Sequence, residues 1–422
     1  MFAITIAINT LLSLYAVFTA YKLIFILIGL FGKAKEYDET ESKKRFGVLI
    51  AARNEELVIA SLIESIKNQN YPADLIDIYV VADNCFDKTA EISKASGAIV
   101  YERSNKEEVS KGYALKYLTQ KMIENHQFDQ YDYFVIFDSD NIVEPNFFYE
   151  MNKAMASGLD GCTCYRNSKN FKTNPISSGY SIHWYFNNLH AHRPRNILGL
   201  STHVTGTGYV FKKELIPNGW TYTDLTEDAT MSLDLIGEGK VIGYCEKAEI
   251  FDEQPTDFIT TFKQRLRWKR GTYYSFFSRF PKVVKGMFTN KGFKKKFACY
   301  DAFFTLFPND LLSVVTGIIL NVLLIVSGII NGNFDLTPLW IKIIKLILTT
   351  YINCFVLGML AVIRERKKIH CNTGLIVLYL FLYPWYDLIS LPICVIALFM
   401  KIKWHPIVHK DTKKYHDIIN RK

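Results

Sequence analysis

The chain has 422 residues, 49% of them hydrophobic and 22% charged, which is enough for one large globular domain and a membrane portion. The net charge of +9 does not indicate a nucleic-acid partner, because the cations crowd beside apolar runs, as in "RERKKIH" (364 to 370) and "KGFKKKF" (291 to 297). The positive-inside rule and attraction to anionic membrane lipids account for that placement.

Residues 2 to 31 contain one charge, and a stretch of about 20 apolar residues suffices to span a bilayer. The stretch lacks a basic leader and a small-residue cleavage site, so it predicts a retained anchor over 1–32. The basic segment after it predicts a cytoplasmic domain over 33–272 and an external N-terminus. Within that domain "RFGVLIAA" reads as a buried strand, and apolar residues at 58, 59, 62, 63 and 66 have helical spacing that Pro72 ends. "LIDIYVVAD", "GAIVYER" and "YFVIFDSDN" read as further strands, with helices between them. That alternation predicts an α/β fold with a mostly parallel sheet, and ligands beyond the carboxyl ends of its strands.

The aromatic and basic stretch 273–310 is too polar to span and predicts helices lying in the headgroup region. Apolar runs then recur at 311 to 330, 339 to 363 and 374 to 400, within a C-terminal membrane region (311–422) that ends in a basic tail. "NGNFDLTP" predicts an external connection and "RERKKIHCNT" a cytoplasmic one. Pro384, Asp387 and Pro392 interrupt the last run, so it reads as a broken or re-entrant hairpin that keeps the tail cytoplasmic. The eight Cys show no zinc spacing, and no disulfide framework is expected.

The chemistry-bearing residues sit where strands end. In "FVIFDSDN" the two carboxylates, Asp138 and Asp140, share a face and can hold a divalent ion against phosphates; they also suit a solvated turn. Asp83 ends another strand, where it can accept from a base or sugar or cap the next helix. Asn54 and Glu55 leave the same two readings open, and Lys111 suits a phosphate or plain solvent. In "DLTEDAT", Glu227 and Asp228 stabilise a first helical turn, or one of them serves as a general base. Gln264, Arg267, Trp268 and Gly271 fall at i, i+3, i+4 and i+7, a polar stripe where an ordinary amphipathic helix has Leu or Val. It fits a diphosphate-and-sugar contact or a Trp-anchored interfacial helix.

The order N-E-E, D, K-G, D-x-D, T-E-D, Q-R-L-R-W over residues 46 to 275 resembles the membrane-embedded family 2 glycosyltransferases, among them poly-N-acetylglucosamine, hyaluronan, chitin and cellulose synthases. The resemblance implies a GT-A-type nucleotide-sugar domain. In it Asn54, Glu55, Asp83 and Lys111 would lie at the UDP-sugar, and Asp138 and Asp140 would hold the diphosphate through Mg2+ or Mn2+. Asp228, with Glu227 beside it, would be the base. Gln264 and Arg267 would close on the diphosphate, and Trp268 on the acceptor. "THVTGTGYVF" is similar to the family's Gly-rich acceptor segment, which implies close approach of a sugar at Gly206 and Gly208. Trp404 to His409 is loosely similar to tail motifs that gate related synthases.

The implied activity is inverting transfer from a UDP-sugar, UDP-GlcNAc or UDP-Glc before others, to the growing end of a β-linked polysaccharide at the cytoplasmic membrane face. Export would be coupled to synthesis and an accessory subunit is possible. Transfer of one sugar to a membrane lipid is the alternative, and an inactive scaffold or partner subunit is the alternative of another class. The chain departs from many polymer synthases in showing one N-terminal span, and from cellulose synthases in lacking F-x-V-T.

Overall fold

Short apolar runs buried on both faces build one eight-stranded sheet. The computed structural model describes residues 2–331, 337–400, 402, 409, 411 and 413–419. The strands are β1 (Phe46–Ala52), β2 (Ile76–Asp83), β3 (Ile99–Arg103), β4 (Tyr133–Asp138), β5 (Ile142–Val143), β6 (Gly161–Ser168), β7 (Tyr209–Lys212) and β8 (Ile242–Asp252). Two helical segments precede them, α1 (Phe2–Thr19) and α2 (Tyr21–Phe31). Between strands lie α3 (Ile59–Lys67), α4 (Thr89–Ala95), α5 (Lys111–Glu124), α6 (Phe147–Ala156), α7 (Pro175–Asn187), α8 (Arg193–Leu198) and α9 (Glu227–Gly237). After the sheet come α10 (Phe258–Thr289), α11 (Phe293–Leu306), α12 (Asn309–Ile330), α13 (Thr337–Glu365), α14 (Thr373–Leu388), α15 (Ser390–Phe399) and α16 (Tyr415–Ile419).

The strand order is β3-β2-β1-β4-β7-β6-β8-β5. β1 pairs in parallel with β2 and β4, β2 with β3, and β6 with β8. β7 runs antiparallel to both neighbours, and β5 antiparallel to β8. The sheet is therefore mixed: four of its seven pairings are parallel, in line with the strand–helix alternation, and three are antiparallel. The connection from β6 passes through α7 and α8 without crossing back over the sheet. β7 thus starts at the carboxyl edge, with Tyr209 opposite Ile136, and must run down to Lys212 opposite Tyr133.

Alternate residues of one strand feed opposite cores. Val48 and Ile50 of β1 pack with Val135 and Phe137 under α3 and α6, while Leu49 packs with Phe134 and Ile136 under α5 and α9. Fully burying such a side chain is worth about 1.5–3 kcal/mol. Helix starts are capped locally: Ser110 accepts from Tyr113 N at 3.2 Å, Asn174 from Ser177 N at 3.0 Å, and Asp257 from Thr260 N at 2.8 Å.

Among the described residues four helical stretches are long and apolar enough to cross a membrane: Phe2–Phe31, Asn309–Ile330, Leu339–Lys368 and Thr373–Phe399. The last is interrupted at Ile389, between α14 and α15, where the backbone keeps helical dihedrals. Both of its flanks touch the sheet domain, Lys368 Nζ bonding Glu249 at 3.0 Å before it and Asp411 N donating to Glu253 at 3.1 Å after it. α10 is a single helix of 32 residues, and it runs straight across the domain boundary expected at 272. Periodicity continues there although composition changes. Buried ion pairs fasten the sheet domain to the apolar helices. Arg193 of α8 bonds Glu246 of β8, Glu365 of α13 and the Gly29 carbonyl of α2. Arg195 holds Asp301 of α11, which also accepts from Tyr21 OH at 2.7 Å.

Candidate active site

Register brings the strand-end carboxylates to one edge. Asp138 lies opposite Ala51, which lies opposite Val81, so Asp138 and Asp83 end within two residues of one another on either side of β1. Above that edge is a cavity of about 380 Å³, walled also by α5, α7, α9, α10 and the 203–206 loop.

At one end Asp83 is buried and its Oδ1 is gripped by Arg103 at 2.6 Å, a pair set by their opposition across β2 and β3. Glu55 lines the cavity nearby, and burial pushes its carboxyl up to about 8. Asn54 does not line it. Asn54 adopts φ +57° and its Oδ1 accepts from Phe86 N at 3.0 Å, so it ties the β1 turn to the β2 turn. The neighbouring Arg53 stands on the wall instead.

Lys111, at the start of α5, bonds Asp138 Oδ1 and the Gly206 carbonyl (2.6 Å) and lies 3.9 Å from Glu227 Oε1. Burial opposes its charge, but Asp138 and Glu227 outweigh burial and hold its pKa above the ordinary value. Asp140 is 3% exposed and its Oδ2 accepts from Glu253 N at 3.0 Å. His409 of the tail enters here, its ring nitrogens 3.5–3.7 Å from Glu253, Asp140 and Glu55. Burial opposes its charge, yet those carboxylates push it up to about 10. Trp404 to Val408 of the same motif lie outside the described residues.

No group of three or more His, Cys, Asp and Glu with metal-ligand geometry occurs among the described residues. A magnesium-type ion needs only one or two protein carboxylates when phosphate oxygens complete its shell. Asp140 and the second oxygen of Asp138 meet that requirement, whereas the protonated His409 ring has no lone pair to offer an ion.

Opposite them, Glu227 and Asp228 open α9 at the cavity wall, and burial raises both carboxyls above their usual range. α10 crosses over this turn through a seam of small groups. Gly271 lies against Thr226, and Ser275 Oγ lies 3.1 Å from Thr226 Oγ1 and 2.8 Å from Thr230 Oγ1. The seam brings Gln264, Arg267 and Trp268 to the cavity. Arg267 donates to the Leu225 carbonyl at 2.9 Å, and Gln264 accepts from Tyr180 OH at 2.6 Å. Trp268 meets Tyr180 and Trp184 edge to face, at 6.0 and 5.9 Å.

Gly206, at φ +78°, lines the cavity, and a Cβ there would come 3.6 Å from Asp228 Oδ2. Gly208 does not line it. Its φ is +65°, and a Cβ would strike Cys164 Sγ at 2.4 Å and Ile250 Cδ1 at 2.7 Å, so core packing requires this glycine. The motif pattern had also missed part of the wall: Arg166 with its partner Asp252, and His183, Trp184, Asn187 and His203. No local pattern marks them, because α7 and the 199–208 loop are brought in by the return to β7.

The arrangement pairs a cationic, carboxylate-lined end with a buried carboxylate pair of raised basicity, which suits displacement at a centre carrying a diphosphate leaving group. Comparisons with known proteins agree in kind. "Probable glycosyltransferase YdaM" of Bacillus subtilis is 25% identical over 403 residues, covering 88% of this chain and 86% of that protein. A "Beta-monoglucosyldiacylglycerol synthase" of Nostoc sp. is 24% identical over 250 residues; the match takes in 56% of this chain and only 51% of that protein's length. The solved structure of mannosyltransferase PcManGT from Pyrobaculum calidifontis, in complex with GDP-Man and Mn2+, superposes with a TM-score of 0.55 at 15% identity. It covers 86% of this chain and 98% of that one, and the two share the GT-A-like fold. The profile described as "Glycosyltransferase like family 2" matches residues 44–271, more than half of the chain, and the chain belongs to that family.

Proposed function

We propose that the chain moves a hexose from a UDP-sugar to an acceptor hydroxyl at the membrane surface, with inversion at the anomeric carbon. The observation that carries the reading is the convergence in one cavity of Asp83, the cluster Lys111–Asp138–Asp140–Arg267, and the raised pair Glu227–Asp228. Asp83 presents its second oxygen to the base. Lys111 and Arg267 face the diphosphate and neutralise the negative charge that grows on the departing UDP. Asp228 takes the proton of the acceptor hydroxyl as that oxygen bonds to the anomeric carbon and the bond to UDP breaks; attack from the opposite face turns an α-linked donor into a β-linked product. Glu227 holds Lys111 beside it. A divalent ion, Mg2+ or Mn2+, held by Asp138 and Asp140 would add charge neutralisation at the diphosphate.

The favoured donors are UDP-GlcNAc and UDP-Glc, and the favoured product is a growing β-linked polysaccharide made on the cytoplasmic face. Four apolar helices and the basic connections support a multi-pass chain. The contacts on both flanks of Thr373–Phe399 support a re-entrant hairpin with the tail on the catalytic side. A second reading, one sugar added to a membrane lipid, is favoured by the glucosyldiacylglycerol synthases among the relatives.

The test is UDP release by the purified full chain, with products sized on a gel. A high-mass ladder supports the polymer and a single glycolipid the second reading. Asp228→Asn should cut transfer about 10²–10⁴-fold while UDP still binds; retained turnover would remove Asp228 as base.

A further inference from the structure

α7 does not simply end at Asn187. A π turn over Asn188–His192 carries the chain into α8, and such turns are costly enough to gather at functional positions. Here it brings Asn187 and His192, five residues apart, to 2.9 Å. An amide nitrogen only donates, so His192 Nε2 accepts from Asn187 Nδ2. The ring proton is then on Nδ1, which meets Thr202 Oγ1 at 2.8 Å. The relay fixes the Asn187 amide through one of its two N–H groups, leaving its oxygen and the other N–H for the cavity that Asn187 lines.

The same relay anchors the loop that carries His203 into the cavity wall, one residue beyond Thr202. Arg166 secures both walls from behind. It stacks on the Trp184 ring at 3.9 Å, donates to the Thr205 carbonyl at 3.0 Å, and its charge is met by Asp252. His183 and His203 have no hydrogen-bond partner among the described residues, and burial drives each down to about 4, so both rings are neutral and can donate and accept.

We propose that His183, Asn187 and His203, with the Trp184 and Trp268 rings, form an acceptor subsite that binds a pyranose by its hydroxyl groups. The proposal rests on the glycosyltransfer reading and names its acceptor. A sugar ring offers several hydroxyls to an amide and two neutral imidazoles, and an apolar face to an indole. A diacylglycerol offers one hydroxyl and long acyl chains. Alanines apart, the aliphatic side chains on the described lining are Val204, Leu225 and Leu306. The fixed walls also mean that the acceptor meets groups already oriented, which lowers the ordering cost of binding.

The experiment measures UDP release by the full chain from UDP-GlcNAc and UDP-Glc, with added N,N′-diacetylchitobiose, cellobiose, or dioleoylglycerol in phosphatidylglycerol vesicles. Saturable stimulation by one disaccharide is expected. Asn187→Leu and His203→Phe should each raise that disaccharide's KM by about tenfold, the worth of a lost hydrogen bond, and leave the nucleotide-sugar KM within about twofold. His203→Gln keeps a neutral donor and acceptor and should restore the KM most of the way. Stimulation by dioleoylglycerol alone overturns the subsite, as do unchanged disaccharide KM values or equal losses in His203→Gln and His203→Phe. No UDP release from any donor, with any addition, overturns the glycosyltransfer reading and the subsite with it.

Discussion

Gly271→Ala tests how the catalytic turn and the arginine helix are held together. A Cβ at residue 271 would stand 2.5 Å from Thr226 Cγ2 and 2.6 Å from its Oγ1. Carbon atoms in contact sit about 3.5 Å apart, so α10 must back away from α9 by about 1 Å. The obstacle cannot swing clear, because Thr226 is β-branched and its hydroxyl is engaged by Ser275. Overpacking of this kind costs about 1–3 kcal/mol in stability. The effect on rate should be larger. Arg267 sits one turn before Gly271, and Asp228 two residues after Thr226, so the same displacement separates the leaving-group cation from the base. A misplacement of about 1 Å costs up to about 10²-fold in rate. UDP release by the detergent-solubilised chain should therefore fall about tenfold to a hundredfold. Gly317→Ala, whose Cβ meets nothing within 4 Å, should change neither rate nor melting. Thr226→Ala added to Gly271→Ala should recover part of the loss. Wild-type turnover in Gly271→Ala alone would refute the claim that this seam sets the spacing.

Burial raises Glu227 and Asp228, so the pair takes up protons at a pH where ordinary carboxylates are still charged. Since transfer needs Asp228 deprotonated, kcat/KM should fall as pH drops through that raised value. An acid limb at the ordinary Asp value of about 3.9 would contradict it. Asp140→Ala should weaken UDP binding in Mn2+ by about tenfold or more, as loss of a charge-assisted contact does, and leave binding in EDTA unchanged. Equal affinity of both proteins in Mn2+ removes Asp140 from the metal site. Gly208→Ala should lower the melting temperature through its clash with Cys164 and its left-handed backbone, at a cost of about 1–3 kcal/mol, with the donor KM unaltered. A rise in acceptor KM without loss of stability would return Gly208 to the site.

Much of the carboxylate edge was legible because its cause is local. An apolar run of strand length that stops at an Asp marks both a strand and its carboxyl end, and Asp83 and Asp138 lie there. Asp228 and the Gln264–Arg267–Trp268 stripe were legible through motif and helical spacing. What escaped depends on pairing at a distance. The direction of β7 is decided by where α7 and α8 leave the chain, which no periodicity in "YVFK" records. His183, Trp184 and Asn187 read as an ordinary polar and aromatic helix face until Arg166 and Thr202 are seen against them. Asn54 and Gly208 mislead for a shared reason: a residue needed for its own backbone looks, in sequence, like one kept for a ligand. The boundary at 272 failed because composition shifts where the helix does not.

The Arg193 junction has a consequence for how the molecule can be divided. Its guanidinium is 1% exposed and Glu365, at the end of α13, is 3% exposed; Tyr165 OH of β6 bonds the same carboxylate at 2.9 Å. Cutting the chain at the ends of the matched segment, 44–271, would remove both Glu365 and the Gly29 carbonyl, leave Glu246 as the remaining partner of Arg193, and open that cation to water. It would also strip α13 and α14 from the aromatic face of α7 and turn Tyr180 and Tyr185 to water. The matched segment is thus narrower than the packed unit, whose contacts run past both of its ends. The sheet domain keeps its aromatic and ionic contacts only in a piece that still includes α2, α13 and α14.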